Sequence, residues 1–183
     1  MNNTLTQYDQ VVAECEALFL KKTKDYGTAW RVLRPISIVD QLFIKANRIR
    51  TIQETGVNKV NESITGEFVA MVNYGYIGLM QLGFTNDDPE EVAYDLVAPL
   101  YSQKVNWVRE IMLKKNHDYG EAWRDMSQES FVDLILMKLK RIKQILQNDG
   151  KTIVSEGIDA NYTDIINYSI FALILIQEGQ HPA

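Results

Sequence analysis

The stretch KKTKDYGTAWR at Lys21–Arg31 recurs as KKNHDYGEAWR at Lys114–Arg124. The similarity continues along the chain, since Lys21–Ile52 aligns with Lys114–Ile145 without a gap and nearly half of the aligned positions are identical. The repeat period, counted from a residue of the first copy to the aligned residue of the second, is much longer than the roughly 20–50 residues of solenoid repeats. The chain of 183 residues therefore contains a duplicated small domain rather than a repeat array.

Each copy is predicted to form three helices. Apolar residues recur at helical spacing, and the glycine of each Asp-Tyr-Gly turn permits a left-handed exit from the first helix. No segment alternates apolar and polar residues between hairpin turns, so no strands are expected. The expected helices are 7–24, 37–54 and 60–82 in the first copy, and 102–117, 129–148 and 154–178 in the second.

The segment TNDDPEEVA joins the two copies and is expected to open a short extra helix. Asp88 is a good capping residue, and Pro89 suits the first helical position because it needs no amide hydrogen. We therefore place a linker at about 85–93, between a first repeat at about 7–84 and a second repeat at about 100–179.

The last helix of the second copy predicts how the copies pack. Its end, YSIFALILI, is apolar all round and must be covered on more than one side. A three-helix unit of this size has a thin core, and the other copy is the simplest cover. We predict a single all-α domain over 1–183, a helical bundle in which two tandem three-helix repeats form an intramolecular pseudo-dimer.

Composition limits the partners. The net charge is −5 and Lys and Arg are dispersed, so no duplex nucleic acid partner is expected. Cys15 is the sole cysteine, which excludes an internal disulfide and a multi-cysteine zinc site. The polar start lacks the features of a secretory signal, and the most apolar run is too short to span a bilayer. We expect a cytoplasmic protein without a membrane partner.

The predicted third helix of the second copy carries the first candidate site. Glu156, Asp164 and Asn167 share one face of this helix at about 100° per residue. Carboxylate and amide oxygens are ligands suited to magnesium held partly through water and phosphate. The alternative is a solvated face of an amphipathic helix, which is the commoner reason for such a pattern.

The predicted second helices carry cations at matching positions. Lys45 and Arg48 lie three residues apart, as do Lys138 and Arg141, so each pair shares a helix face. Lys and Arg are the usual partners of phosphate groups. The alternative is a role in solubility or in ion pairs with Asp40 and Asp133.

The repeated turn supports two interpretations. Its aromatic residues suit stacking on a nucleobase, while tryptophan also suits packing at a helix corner and aspartate suits capping of local amides. The candidate ligand contacts in the turn and on the third helix are Asp25, Tyr26, Trp30 and Asn73 in the first copy, and Asp118, Tyr119, Trp123 and Asn167 in the second.

The order K-x-x-D-Y-G-x-A-W, then K-x-x-R-I, then a helix with E and N-Y resembles the nucleotide-modification-associated domain 1 family. The resemblance covers both copies. It rests on Lys22, Asp25, Tyr26, Gly27, Trp30, Lys45, Arg48, Glu62, Asn73 and Tyr74, and on Lys115, Asp118, Tyr119, Gly120, Trp123, Lys138, Arg141, Glu156, Asp164, Asn167 and Tyr168.

This resemblance implies a role in nucleotide or modified-base metabolism. The family is also distantly similar to the all-α nucleoside-triphosphate pyrophosphohydrolases of the MazG and dimeric dUTPase group, in which acidic residues hold magnesium that activates water. That similarity implies Asp164 as a magnesium ligand. Glu156 and Asp159 form an E-x-x-D pattern earlier on the predicted helix, and Asp118 or Asp133 could complete the site. The paired glutamates E-x-x-E of those enzymes are missing here. Because Ala70 aligns with Asp164, we expect divalent metal to prefer the second copy.

Two functions therefore stay open. The first is a magnesium-dependent pyrophosphohydrolase-like enzyme that acts on a free nucleotide, with the Lys and Arg pairs on its phosphates. The second is a non-catalytic binding or assembly module that kept the helical bundle and lost the metal centre. A small-molecule nucleotide is the expected partner, and further homo-oligomerisation is open.

Overall fold

The computed structural model describes residues 2–154 and 156–183, and within these ranges the regular structure is entirely helical. A short 3-10 turn follows the first helix of each repeat, at Ala29–Val32 and Ala122–Asp125. The first repeat contains α1 (Asn2–Tyr26), α2 (Pro35–Thr55) and α3 (Ile64–Gln81), and the second contains α4 (Tyr94–Tyr119), α5 (Gln128–Gln147) and α6 (Ile158–Gln177).

Local sequence explains where these helices begin and end. α1 and α4 stop at the two Asp-Tyr-Gly turns, where Gly27 and Gly120 adopt positive φ angles of 68° and 62°. This is the left-handed exit that the sequence predicts. α3 and α5 begin after Ser63 and Ser127, whose hydroxyl oxygens accept hydrogen bonds from backbone N–H groups of the first turn.

Several of the predicted boundaries are wrong. The third helices begin at Ile64 and Ile158, several residues later than expected, so Glu156 precedes α6 and is not on it. The linker contains turns instead of a short helix, because the Asp88 carboxylate accepts hydrogen bonds from the backbone N–H and the hydroxyl of Thr85. α4 starts directly after this linker, at Tyr94, so it begins earlier than the predicted start at 102.

The centre of the bundle is the contact between α3 and α6. α2 and α5 pack beside them and against each other, while α1 and α4 also pack on the α3–α6 pair. The residues predicted to form this shared core are buried: Ile77, Leu79, Ile170, Leu173 and Ile174. None of the described helices combines the length and hydrophobicity needed to cross a membrane.

Glycines on α3 allow this close approach. A Cβ atom on Gly75 would lie 2.5 Å from Cγ1 of Ile166, and one on Gly78 would lie 2.6 Å from Cζ of Tyr162. Real Cβ atoms do not tolerate such distances, so a side chain at either position would push α3 away from α6. The two repeats therefore share one core, as the sequence predicts.

Reciprocal hydrogen bonds show the pseudo-two-fold relation of the repeats. The Tyr8 hydroxyl on α1 donates to Oδ1 of Asn167 on α6, at 2.8 Å. The aligned residue Tyr101 on α4 donates to Oδ1 of Asn73 on α3, at 2.7 Å. Each repeat thus supplies a buried tyrosine to the third helix of the other, which is the pattern of a self-complementary dimer interface.

The outer helices repeat this exchange with charges. Nζ of Lys143 on α5 lies 2.6 Å from Oδ1 of Asp40 on α2, and Nη1 of Arg50 on α2 lies 3.6 Å from Oδ1 of Asp133 on α5. Asp40 aligns with Asp133, and Arg50 aligns with Lys143. These aspartates therefore recur in both copies because each forms an ion pair with the opposite repeat.

The reciprocal tyrosines allow a direct test of the pseudo-dimer. Tyr8→Phe and Tyr101→Phe should each lower the free energy of unfolding by about 1–3 kcal/mol, because each leaves a buried asparagine without its donor. Urea denaturation measures this, and Tyr119→Phe is the control because its side chain is 73% exposed. Unchanged stability in both core variants would contradict the assignment.

Candidate functional site

Asp164 is buried on α6 and lies between two lysines. Nζ of Lys115 on α4 is 2.5 Å from its Oδ1, and Nζ of Lys138 on α5 is 2.7 Å from its Oδ2. Partial burial of Lys115 acts to lower its pKa, but the hydrogen bond and charge of Asp164 outweigh this, and the pKa of Lys115 is raised. A buried carboxylate needs such counterions, and here both of its oxygens have one.

The other two predicted metal ligands do not join Asp164. Glu156 is exposed and borders a shallow cleft of about 380 Å³ that also contains Lys138, Arg141 and Asn161. Asp159 is exposed in a different cleft, beside Trp107. Among residues 2–154 and 156–183, no three His, Cys, Asp or Glu side chains form a group that could hold a metal ion. As placed, these carboxylates do not fit a three-ligand magnesium site, and magnesium binding stays a prediction.

The first repeat places its buried carboxylate one helical turn earlier. Glu67 on α3 accepts a hydrogen bond of 2.7 Å from Nη1 of Arg48, and Nζ of Lys45 lies 3.4 Å away. Arg48 also donates to Oδ1 of Asn58 and to the backbone carbonyl of Glu62, both at 2.9 Å. The lysine and arginine predicted to bind phosphate in this repeat therefore already contact protein oxygens.

A cavity of about 320 Å³ lies in the first repeat, between the end of α1, the repeated turn and α3. Most of its wall is apolar or aromatic. Tyr26 is 58% exposed, whereas Trp30 is only 8% exposed. The lining residues are Leu18, Phe19, Lys22, Thr23, Tyr26, Gly27, Ala29, Trp30, Leu33, Gly66, Ala70, Asn73, Tyr74 and Ile77. We call this space the first-repeat cavity.

The same place in the second repeat is filled. Phe171 stacks on Trp123 with ring centroids 4.3 Å apart and an interplanar angle of 6°. In the first repeat the residue aligned with Phe171 is Ile77, and the residue aligned with Asp164 is Ala70. Ile77 and Ala70 are smaller than Phe171 and Asp164. The space that the larger side chains fill in the second repeat is therefore open in the first.

The two motif tryptophans also differ at the indole nitrogen. Nε1 of Trp123 donates to Oδ1 of Asn116, at 3.1 Å. Nε1 of Trp30 is buried and has no hydrogen-bond partner in the described chain. Thr23, which aligns with Asn116, donates its hydroxyl hydrogen to the carbonyl of Phe19 instead. The first repeat therefore has an unused donor in a residue that lines the cavity.

The remaining predicted contacts are divided between surface and core. Asp25, Asp118 and Tyr119 are exposed, and Asp118 contacts the ring of His117. Asn167 lies in the core and accepts the Tyr8 hydrogen bond, while Asn73 borders the cavity and is bonded to Tyr101. The asparagines therefore join the repeats.

Sequence reasoning missed the role of the arginine that ends each repeated stretch. Arg31 donates to Oε1 of Gln81 at 2.6 Å and to the carbonyl of Pro89 at 3.2 Å, which fixes the linker on the turn. Arg124 donates to Thr4 at 2.6 Å and to Gln7 at 2.8 Å, which fixes α1 on the second turn. Their recurrence directly after each tryptophan was the available signal.

Residues 22–82 and 115–176 each match the profile of the nucleotide modification associated domain 1. The chain belongs to the nucleotide modification associated domain 1 family. Comparisons with curated proteins and with solved structures gave no match. Each matched segment contains the whole Asp-Tyr-Gly-x-Ala-Trp turn and most of the third helix. One nucleotide modification associated domain of this chain thus contains the cavity, and the other has the same place filled.

The indole nitrogens give a matched pair of variants. Trp30→Phe and Trp123→Phe remove the same volume, but only the second removes a protein hydrogen bond. Trp123→Phe should therefore destabilise the protein by about 0.5–1.5 kcal/mol more than Trp30→Phe. Urea denaturation of both variants measures the difference. Equal losses would show that the Trp123–Asn116 bond contributes nothing.

Proposed function

We propose that this protein binds a nucleotide in the first-repeat cavity and does not hydrolyse it. The observation that carries the proposal is the difference between the repeats, because the cavity is open only where Ala70 and Ile77 replace Asp164 and Phe171. Membership of the nucleotide modification associated domain 1 family supports a nucleotide as the ligand.

The lining of the cavity suits a nucleobase. Tyr26, Trp30 and Tyr74 supply aromatic surface, and stacking of one base on such side chains contributes about 1–3 kcal/mol. A mostly apolar wall with a few polar groups is typical of small-molecule sites, and a volume near 320 Å³ is at the lower end of their range of about 300–1,000 Å³. A single small nucleotide is therefore a better match than a polymer.

The surroundings of Asp164 favour binding over hydrolysis. The similarity to pyrophosphohydrolases implies that this aspartate holds magnesium, whereas its two oxygens lie against the ammonium groups of Lys115 and Lys138. A magnesium ion at Asp164 would have to displace these lysines or move them away. We therefore place the non-catalytic module before the enzyme.

The second repeat suggests a substitution that closes the cavity without damaging the fold. Ile77→Phe introduces the phenylalanine that the second repeat has at the aligned position, where it stacks on Trp123. The protein should therefore stay folded. Calorimetry with a panel of nucleotides should show an affinity at least tenfold lower than in the unchanged protein. Ile77→Leu preserves the volume and is the control. Full affinity in Ile77→Phe would place the ligand elsewhere.

Tryptophan fluorescence tests the location independently. In a Trp107→Phe background only Trp30 and Trp123 emit, and Trp123 is covered by Phe171. Nucleotide binding should therefore change the emission through Trp30. A nucleotide that binds by calorimetry but leaves this emission unchanged would exclude the repeated turn from the site.

Magnesium separates the two candidate functions. With binding alone, magnesium should leave the products of incubation unchanged, and no pyrophosphate or phosphate should be released from any nucleoside triphosphate. The decisive opposite result is magnesium-dependent release that disappears in Asp164→Asn. That result would identify the protein as a hydrolase with Asp164 in its metal site.

A further inference from the structure

We propose that the first-repeat cavity contains an anion subsite between Lys22 and Lys45, and that it receives a single phosphate group of the ligand. The subsite corresponds to the place that the Asp164 carboxylate occupies in the second repeat. This inference rests on the proposed function in one respect only, since it assigns the phosphate to the nucleotide that the cavity binds.

The second repeat shows the subsite in its occupied form. The Asp164 carboxylate bridges Lys115 and Lys138, with one oxygen on each ammonium group. The first repeat keeps lysine at both aligned positions, Lys22 and Lys45, but it has Ala70 in place of the aspartate. The first repeat thus keeps both lysines without a carboxylate at the aligned position, and its own buried carboxylate, Glu67, contacts Lys45 and Arg48 instead.

The two lysines of the first repeat are available to a ligand. Lys22 lines the cavity and has no hydrogen bond or ion pair with any described residue. Lys45 lies 5.9 Å from the ring centroid of Tyr74, another lining residue. Its contact with Glu67 is long, at 3.4 Å, and Glu67 already has a shorter bond of 2.7 Å to Arg48. Glu67 therefore keeps a counterion when Lys45 turns to a ligand.

The local charges limit the ligand to one phosphate. Lys22 and Lys45 are the cations of the subsite, and Arg48 is fixed by three other oxygens. Two ammonium groups match a phosphate monoester, whose charge is about −1.5 to −2 at neutral pH. The ligand class is therefore a nucleoside monophosphate rather than a triphosphate.

The substitution Ala70→Asp tests the subsite by supplying the missing carboxylate. In calorimetry the unchanged protein should bind a nucleoside 5′-monophosphate at least tenfold more tightly than either the nucleoside or the triphosphate. Ala70→Asp should remove the advantage of the monophosphate over the nucleoside. Ala70→Asn, which has the same shape without the charge, should keep most of it. Equal affinity for nucleoside and monophosphate in the unchanged protein would overturn the subsite.

Lysine variants provide a matched comparison between the repeats. Lys22→Met should lower monophosphate affinity at least tenfold and leave nucleoside affinity nearly unchanged. Lys115→Met removes the aligned lysine of the second repeat and should leave both affinities unchanged. An equal effect of the two variants on monophosphate binding would contradict a subsite in the first repeat.

Inorganic phosphate tests the subsite without any nucleotide. Phosphate should raise the melting temperature of the unchanged protein more than a chloride salt of equal ionic strength does. Ala70→Asp should abolish this difference. Asp164→Ala should add a second phosphate-dependent increase in melting temperature, because it removes the carboxylate from the aligned position of the second repeat. If phosphate has no effect on any variant, the subsite is wrong. If phosphate stabilises but no nucleoside or nucleotide binds, the subsite stands and the proposed function fails.

Discussion

The close contact between α3 and α6 determines the rest of this structure. Glycine at two positions of α3 lets the helices approach until Ile166 and Tyr162 fill the space where a side chain would be. Asn73 on α3 and Asn167 on α6 each accept a hydrogen bond from a tyrosine of the opposite repeat. With one face of each third helix used in this way, only the opposite face is left to interact with the first and second helices of its own repeat. The candidate site forms on that face.

Duplication lets the two repeats use that face differently. The second repeat fills it with a stacked phenylalanine and an ion-paired aspartate. The first repeat has smaller residues there and retains an indole donor and a lysine without partners in the described chain. The buried indole donor costs free energy unless something else contacts it, whereas the exposed lysine is hydrated. A buried donor without a partner beside a cavity is a local conflict of the kind that is typical of functional sites.

The sequence predicted the helices and the shared core because these depend on periodicity and on glycine at the turns. It could not place the candidate site, because a helical wheel shows which residues share a face but not which side chains reach them from other helices. Asp164 was singled out as a magnesium ligand, but the lysines that contact it in the structure come from α4 and α5. Glu156 was misplaced because a helix start depends on capping that its sequence does not show. The difference between Ile77 and Phe171 was visible in the sequence. Its effect on the cavity became clear only from the contacts that these residues make in the structure.

The crossed tyrosine bonds have a consequence for the way the protein opens. Neither third helix can separate from its own repeat without also exposing the third helix of the other repeat. Each first helix is attached to both repeats. The two repeats therefore form one cooperative unit despite their separate sequences, and their innermost amide hydrogens share one opening event. A domain that began as two equal halves can lose symmetry in its surface contacts. The amide hydrogens of its shared core still exchange with solvent as those of one cooperative unit.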